Sequence, residues 1–257
     1  ILLKGECDPT ISVGGILPAI GGNIRVGQSE TFLTEACEYT NSFLSFFPTL
    51  GIILNMDADH LDFFKDIDDI RHSFRKFAEL LPADGALIIN ADTPKYEMVA
   101  ENLPCKVITY GLEHDAEYTA SDITYDEFGH PTFHVLHNGE DIGICSLKVP
   151  GIHNVSNALA SIAAGRLLNL DNEVIFAGLK DFGGTDRRFQ YKGKVGEVTI
   201  IDDYAHHPTE IEATLHAANN YPHKKIWCVF QPHTYTRTKA LFPESPTSLF
   251  PVPMPVL

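Results

Sequence analysis

The sequence predicts an α/β protein: a central, mostly parallel sheet flanked by helices, a small antiparallel β unit, and then the start of a second α/β domain. Three observations lead to this prediction. Short apolar runs alternate with helical patterns from residue 31 to residue 111. Turn-rich alternation replaces them over 118–149, and a strand–helix–strand order begins after Gly184.

The first part of the chain supplies the parallel strands. Segments 31–37 and 50–56 are short β-rich or apolar runs, and the second is continuous enough to predict a strand buried on both faces. Segment 67–81 predicts an amphipathic helix, with acidic residues in its first turn. Its apolar face consists of Ile67, Ile70, Phe74, Phe77 and Leu81. Strands are expected at 86–90 and 106–111, with a helix between them after Pro94.

The second part changes character. The Asn138-Gly139 pair is a strong hairpin turn and predicts an antiparallel unit over 118–149. Residues 155–168 are rich in alanine and leucine and predict a helix, with Asn154 as a candidate cap. The later elements are a strand at 198–204, a helix at 208–218 and a strand at 225–231.

Bulk properties exclude several classes of protein. The net charge of −15 would repel a polyphosphate backbone, so nucleic acid is not an expected partner. No apolar run approaches the roughly 20 residues of a membrane span. The five cysteines are scattered without a C-x-x-C pair, which suits a reducing cytoplasm.

Polar side chains cluster after two of the predicted strands. Glu35 lies in TEACE, and His60 lies in NMDADHLD just past a strand, where α/β sheets bind ligands. A carboxylate and an imidazole there could hold a hard cation beside phosphates. Helix caps and solvated turns are the plain alternative for each residue alone. A binuclear metal hydrolase would need histidines at positions 55 and 57, where asparagine and aspartate stand.

Two further segments suit a nucleotide. Asn154 and Asn157 face one side of a helix start, and their carboxamides could pair with the edge of an adenine ring, although capping is the common role of such asparagines. GTDRRFQ carries Arg187 and Arg188 after a glycine turn. Arginine binds phosphate oxygens in bidentate fashion, and surface ion pairing is the alternative.

The last two clusters suit a polar substrate. IDDYAHHPTE sets Asp203, Tyr204 and His206 between a strand and a helix, and hydrogen bonding to substrate is favoured over zinc because adjacent histidines do not easily share one metal. FQPHTYTRT places His233 and Arg237 beyond another strand, where Arg237 could bind a carboxylate. No G-x-x-x-x-G-K-[ST] phosphate loop occurs in the 257 residues.

Six motifs in this order resemble the Mur ligase family: EACE, NMDADHLD, HNVSNALA, GTDRRF, DDYAHHPTE and QPHTYTRT. The resemblance covers roughly residues 10–242, and the last two motifs are most similar to the members that add L-alanine to UDP-N-acetylmuramate. It implies a three-domain, ATP-dependent, Mg²⁺-dependent ligase of peptidoglycan synthesis. In such enzymes the γ-phosphoryl group of ATP activates the lactyl carboxylate as an acyl phosphate, which the amine of L-alanine then attacks.

The resemblance also implies roles for individual residues. Glu35 and His60 match the magnesium ligands, Asn154 and Asn157 the adenine-binding asparagines, Arg188 the arginine near the phosphates, and Asp203 the ribose-binding aspartate. Tyr204 and His206 would face the muramate, and His233 and Arg237 the incoming alanine. Several sister ligases carry a carbamylated lysine where Phe74 and Arg75 align here, which argues against a second magnesium site of that kind. Thr234 replaces an arginine of some relatives.

The resemblance divides the chain into a central ATPase domain lacking its phosphate loop (1–180), the start of a C-terminal amino-acid domain (181–242) and an aberrant Pro-rich tail (243–257). Both ends are expected to be truncated, and the chain alone is expected to be inactive. Two alternatives stay open: a non-catalytic nucleotide-binding module, and a related ligase of the folylpolyglutamate or muropeptide-recycling type.

Overall fold

A six-stranded sheet forms the centre of the computed structural model, which describes residues 1–231. The strands are β1 (Thr10–Leu17), β2 (Gly22–Arg25), β3 (Phe32–Thr34), β4 (Leu50–Ile53), β5 (Ala86–Asn90), β6 (Lys106–Tyr110), β7 (Tyr118–Tyr125), β8 (Pro131–His137), β9 (Glu140–Ser146), β10 (Gln190–Val195) and β11 (Val198–Asp202). The helices are α1 (Ile67–Ala78), α2 (Glu97–Ala100), α3 (Ile152–Leu167), α4 (Asn172–Asp181) and α5 (Pro208–Asn219).

The central sheet joins parallel and antiparallel halves. Its order is β4-β5-β6-β7-β8-β9, in which β4, β5 and β6 pair in parallel and β7, β8 and β9 pair antiparallel with one another. A single parallel register pair, Tyr110 with Tyr118, joins the two halves. The predicted α/β class and its antiparallel unit are confirmed, and that unit extends the central sheet instead of standing apart from it.

Strand β5 lies between two apolar layers. Ile88 packs into the cluster formed with α3, whereas Leu87 and Ile89 pack into the cluster formed with α1 and α2. All three side chains have zero exposed surface. A continuous apolar strand is expected when helices cover both faces of a parallel sheet, so the prediction for 86–90 is confirmed.

Helix α1 begins where its acidic first turn predicts. The Asp66 side chain accepts hydrogen bonds from the amides of Asp68 and Asp69, which satisfies two otherwise unpaired donors. The helix ends at Ala78, three residues before the predicted end, but Leu81 remains buried at 2% exposure. The amphipathic helix is therefore confirmed over most of its predicted length.

Two strand predictions were wrong in detail. Segment 31–37 forms only the short β3, which pairs with β1 in a separate three-stranded sheet. Strand β4 is not buried on both faces, because it lies at the edge of the central sheet and Ile52 is 38% exposed. Apolar composition alone does not distinguish an edge strand from an inner one.

The Asn138-Gly139 turn joins β8 to β9 as predicted. Both residues have positive φ, 52° and 81°, the geometry of a two-residue hairpin turn with left-handed central residues. Asparagine and glycine tolerate this conformation better than other residues do. The sequence therefore contained the physical cause of this hairpin.

The second unit begins after α4 with the antiparallel hairpin β10–β11, and α5 follows. The predicted strand at 225–231 is wrong for the described structure, in which these residues join no sheet. Ile226, Cys228 and Phe230 instead pack against Ile211 and Leu215 of α5. Their alternation reflects one face lying on a helix.

Over residues 1–231, no helix combines the length and the apolar character needed to cross a membrane.

Candidate functional site

Four of the predicted motif segments meet around α5. The loop after β4 reaches its N-terminus, where the Thr209 hydroxyl donates to Asp57 Oδ2 at 2.7 Å. Arg188 lies with its Nη1 atom 3.7 Å from Glu210 Oε1 in the first turn. At the other end of the helix, the start of α3 packs so closely that a Cβ on Gly151 would lie 3.2 Å from Ala217 Cβ. Segments far apart in sequence therefore share one helix.

His60 lies in the loop after β4 and contacts both an aromatic ring and two carboxylates. Its ring stacks on Tyr39 with a centroid distance of 4.4 Å, and its Nε2 atom is 3.5 Å from Glu38 Oε1 and 3.7 Å from Asp59 Oδ2. The Tyr39 hydroxyl donates to Asp62 at 2.7 Å, and this hydrogen bond raises the pKa of Tyr39. The EACEY segment thus joins the cluster through Glu38 and Tyr39.

Glu35, the carboxylate predicted to share a cation with His60, has a different contact. Its Oε2 atom accepts a hydrogen bond from the Gly14 amide at 2.6 Å. The carboxylates within ion-pair distance of His60 are those of Glu38 and Asp59. Within residues 1–231, no group of three or more His, Cys, Asp or Glu side chains is arranged to hold a metal ion by itself.

The start of α3 corrects one prediction. Gly151, with φ of 99° and ψ of 146°, is the cap residue, and Asn154 lies inside the first turn of the helix. The Asn154 amide group donates to the Pro150 carbonyl at 2.7 Å. Asn157 is half-buried one turn further along, and its main-chain carbonyl accepts from Ser161. The helix begins three residues early because glycine accommodates the backbone turn.

His153 lies among charged groups that the sequence does not reveal. Desolvation by the surrounding protein lowers its pKa, although His153 keeps solvent-exposed surface. The negative charge of Asp203 opposes this effect, and the positive charge of Arg188 adds to it. His153, Arg188 and Asp203, from three motif segments, therefore act on one another electrostatically.

Asp203 organises the turn between β11 and α5. Its two carboxylate oxygens accept from the amides of Phe189 and Ala205, both at 2.7 Å. Tyr204 is exposed, and the Arg187 guanidinium lies 4.5 Å above its ring. His206 places Nδ1 2.9 Å from the Tyr204 carbonyl. Tyr204 and His206 thus lie side by side and close to the two arginines.

A cleft of about 400 Å³ separates the β7–β9 unit from the second unit. Its walls combine aromatic and cationic side chains, including Phe128, Tyr221, Lys148 and Arg188. The centroid of the Tyr221 ring lies 6.0 Å from that of Phe128 and 6.2 Å from that of Phe189, so three aromatic rings meet in the lining of the cleft. Such a surface could accept a flat, anionic ligand.

Two predicted site residues, His233 and Arg237, lie outside the described residues, as does the predicted tail. The contacts of Glu38, Tyr39 and His153 were not predicted from the sequence. Each is adjacent to a recognised motif residue or within four positions of one, and that proximity was the only available sign.

Two protein-family models match this chain. Residues 18–165 match the family model described as the Mur ligase middle domain. Residues 187–249 match the model described as Mur ligase, glutamate ligase domain. The two matches leave a gap that contains all of α4 and the glycine turn before β10.

Individual relatives point the same way. The chain is 61% identical over 245 residues to a UDP-N-acetylmuramate–L-alanine ligase of Lachnospira eligens, which covers 95% of this chain and 53% of that protein. For the enzyme of the same name from Agathobacter rectalis, the identity is 59% over 93% of this chain and 52% of that protein. The crystal structure of UDP-N-acetylmuramate–alanine ligase from Thermotoga maritima matches with a TM-score of 0.78 at 31% identity, covering 93% of this chain and 54% of that one. The chain therefore spans about half the length of the curated relatives it matches.

Proposed function

The chain belongs to the Mur ligase family, and we propose that it carries the nucleotide-binding and ligating parts of a UDP-N-acetylmuramate–L-alanine ligase. The reaction is ATP-dependent formation of an amide bond in peptidoglycan precursor synthesis. The two curated relatives compared above carry that name and are 61% and 59% identical to this chain. UDP-N-acetylmuramate, L-alanine, ATP and Mg²⁺ are the substrates and cofactors of the proposal.

One observation carries the proposal: five of the six motif segments lie in one connected cluster. The His60 loop contacts Tyr39 and the start of α5, Arg188 contacts the same helix start, and His153 is electrostatically coupled to Arg188 and Asp203. Packing alone does not require so many polar side chains to converge. A ligase that positions and neutralises several anionic groups does require it.

The donors around His60 fit a magnesium ion. Mg²⁺ prefers oxygen ligands and is usually held by one or two carboxylates together with waters and substrate phosphates. Glu35 keeps one carboxylate oxygen beyond its bond to Gly14, and Glu38 lies beside His60. We assign Glu35 and His60 as the residues that would hold the ion. Bound there, it would offset phosphate charge during phosphoryl transfer.

The nucleotide would lie along the face shared by α3 and the turn after β11. We assign Asn154 and Asn157 to adenine, Asp203 to ribose and Arg188 to the phosphates. A long arginine side chain with 54% of its surface exposed can turn from Glu210 towards a phosphate. Arg188 is a catalytic residue in this proposal because it would stabilise the charge of the phosphoryl group in transfer.

The muramate carboxylate would lie beside the start of α5. Tyr204 and His206 are assigned to the muramate, and His233 and Arg237 to L-alanine. Attack of the alanine amine on the acyl phosphate forms the amide bond, and phosphate leaves with the electron pair of the broken acyl–oxygen bond. The chain needs no nucleophilic serine or cysteine for this reaction, because the nucleophile is the substrate amine.

The proposal includes a division of the chain. We propose a middle domain over 1–180, the start of the ligating domain over 181–242 and a separate tail over 243–257. The second family match supports a boundary near 181 and extends to residue 249, into the proposed tail. A cytoplasmic location, in keeping with five free cysteines, belongs to the same proposal.

A chimera tests the proposed function. These residues would replace the matching half of the Lachnospira eligens ligase, and L-alanine-dependent release of phosphate from ATP would be measured with UDP-N-acetylmuramate. We expect activity in the chimera and none in the 257-residue chain alone, whose sequence contains no phosphate loop. Arg188→Ala should lower the rate of the chimera about a hundredfold or more.

Lys194→Ala, at an exposed position on β10, is the matched control and should leave the rate unchanged. A chimera that binds Mg·ADP without turnover would favour a non-catalytic nucleotide-binding module. Turnover with L-glutamate or a short peptide in place of L-alanine would favour a related ligase. Either result would contradict the proposed function.

A further inference from the structure

One side chain joins the His60 loop to the second unit. Asp57 Oδ2 accepts from the Thr209 hydroxyl at 2.7 Å, across a sequence separation of 152 residues. The other oxygen, Oδ1, accepts from the Ala58 amide at 2.7 Å within the loop itself. The same carboxylate therefore shapes the loop and holds the first turn of α5, where the helix dipole favours a negative charge.

His207 makes a second link beside the first. Its ring is buried, with Nε2 3.4 Å from the Ala58 carbonyl and Nδ1 accepting from the Thr209 amide at 3.4 Å. A carbonyl can only accept, so Nε2 is the donor in its contact with Ala58. The two links thus connect adjacent loop residues, Asp57 and Ala58, to the start of α5.

Hydrogen bonds within the loop connect Asp57 to His60, three residues further along the chain. The Asp59 amide donates to the Asp57 carbonyl at 2.9 Å, and the His60 amide donates to Asp59 Oδ1 at 2.7 Å. His60 has a φ of 53°, a left-handed conformation that is uncommon for a residue with a side chain and is stabilised by the contacts around it. The hydrogen bonds that run from Asp57 through Asp59 to His60 are among those contacts.

We propose that Asp57 and Thr209 form a coupling contact that fixes the His60 loop when α5 is docked. Asp57 is then a positioning residue, acting on the site through His60. The role of His60 towards a cation rests on the proposed function, but the coupling itself does not. Docking of the second unit and ordering of the loop become one event, so the site is complete only in the docked arrangement.

Hydrogen–deuterium exchange of the 257-residue chain tests the coupling without nucleotide or metal. Thr209→Val removes the hydroxyl from α5 and leaves every loop residue intact. We expect amides of segment 55–63 to exchange about tenfold faster, the effect of losing one hydrogen bond to a charged group. Amides of β5 should exchange as in the unchanged chain.

Two further variants separate coupling from a general loss of stability. Thr209→Ser keeps the hydroxyl and should keep the slow exchange of segment 55–63, as should Thr49→Val at an exposed position before β4. Unchanged exchange of segment 55–63 in Thr209→Val would overturn the proposal. Equally fast exchange in Thr209→Ser, or an equal rise in β5, would overturn it too. Because the chimera assay above measures turnover, failure there leaves this result intact.

Discussion

The central sheet and the β10–β11 hairpin use similar residues in opposite ways. In β5 the residues Leu87, Ile88 and Ile89 are fully buried between helices, whereas in the hairpin Val195 and Val198 are 69% and 64% exposed. β-branched side chains suit both settings, since they suit a pleated strand wherever it lies. The difference lies in what covers each strand. The first unit buries its strands in two large apolar clusters, whereas the described part of the second unit has a small cluster against α5 that leaves the hairpin uncovered.

The largest expected effect is a loss of stability in the region of the central sheet. Leu159 of α3 is fully buried in the cluster that covers the sheet. Leu159→Ala should lower the free energy of unfolding by about 3 kcal/mol, because a cavity replaces a packed side chain. Val198→Ala in the hairpin should change it by less than about 0.5 kcal/mol. Urea denaturation measures both, and equal losses would contradict the contrast between the regions.

The next effect lies at the junction of the two regions. Gly151 has a backbone conformation that side chains rarely adopt, and a Cβ there would lie 2.6 Å from the His153 ring. Gly151→Ala should cost about 2 kcal/mol through backbone strain and this clash. Thermal unfolding measures the loss, with Gly183→Ala, at a position of ordinary φ with open space, as the matched control. A Gly151→Ala variant as stable as the original would show that the junction adapts.

A third expected effect is a pH dependence of stability in the first unit, caused by Asp92. Burial alone would raise the pKa of Asp92, but hydrogen bonds from the Leu112 amide, the His114 ring and the amides of Glu113 and His114 hold the pKa below its usual range. A carboxyl whose pKa is lowered on folding stabilises the protein above its unfolded pKa of about 3.9 and loses this effect as the pH falls through the folded value.

Asp92→Ala should therefore cost about 1.5 kcal/mol at pH 7. The difference from the unchanged chain should stay constant down to about pH 5 and then shrink as the pH falls towards the lowered pKa of folded Asp92. Denaturation at a series of pH values measures it, and Asp115→Ala at an exposed position should show no such trend. A difference that stays constant with pH would remove Asp92 as the cause.

The smallest expected effect concerns the aromatic contacts between the second unit and the β7–β8 hairpin. Tyr221 bridges Phe128 of the β7–β8 hairpin and Phe189 of the second unit. Tyr221→Ala should cost about 1 kcal/mol, the usual value of such ring contacts beyond their buried area. Limited proteolysis should cleave segment 183–231 faster in this variant, with the central sheet unaffected. Unchanged cleavage would mean that the contacts at the start of α5 suffice to hold the second unit.

Local chemistry determined much of this protein in advance. The period of α1, its acidic cap, the apolar run of β5 and the Asn138-Gly139 turn each contain their own physical cause, so the sequence predicts them and the α/β class. The motif segments were also visible as clusters of polar side chains at strand ends. The family followed from their order.

Tertiary structure decided what pairs with what. Whether β4 lies at an edge, whether residues 225–231 join a sheet, and whether Glu38 or Glu35 lies beside His60 all depend on neighbours distant in the chain. The contact between Asp57 and Thr209 spans 152 residues, so no local pattern contains it. Hydrogen bonds and burial act over a few ångströms of space, and only the folded chain determines which residues share that space.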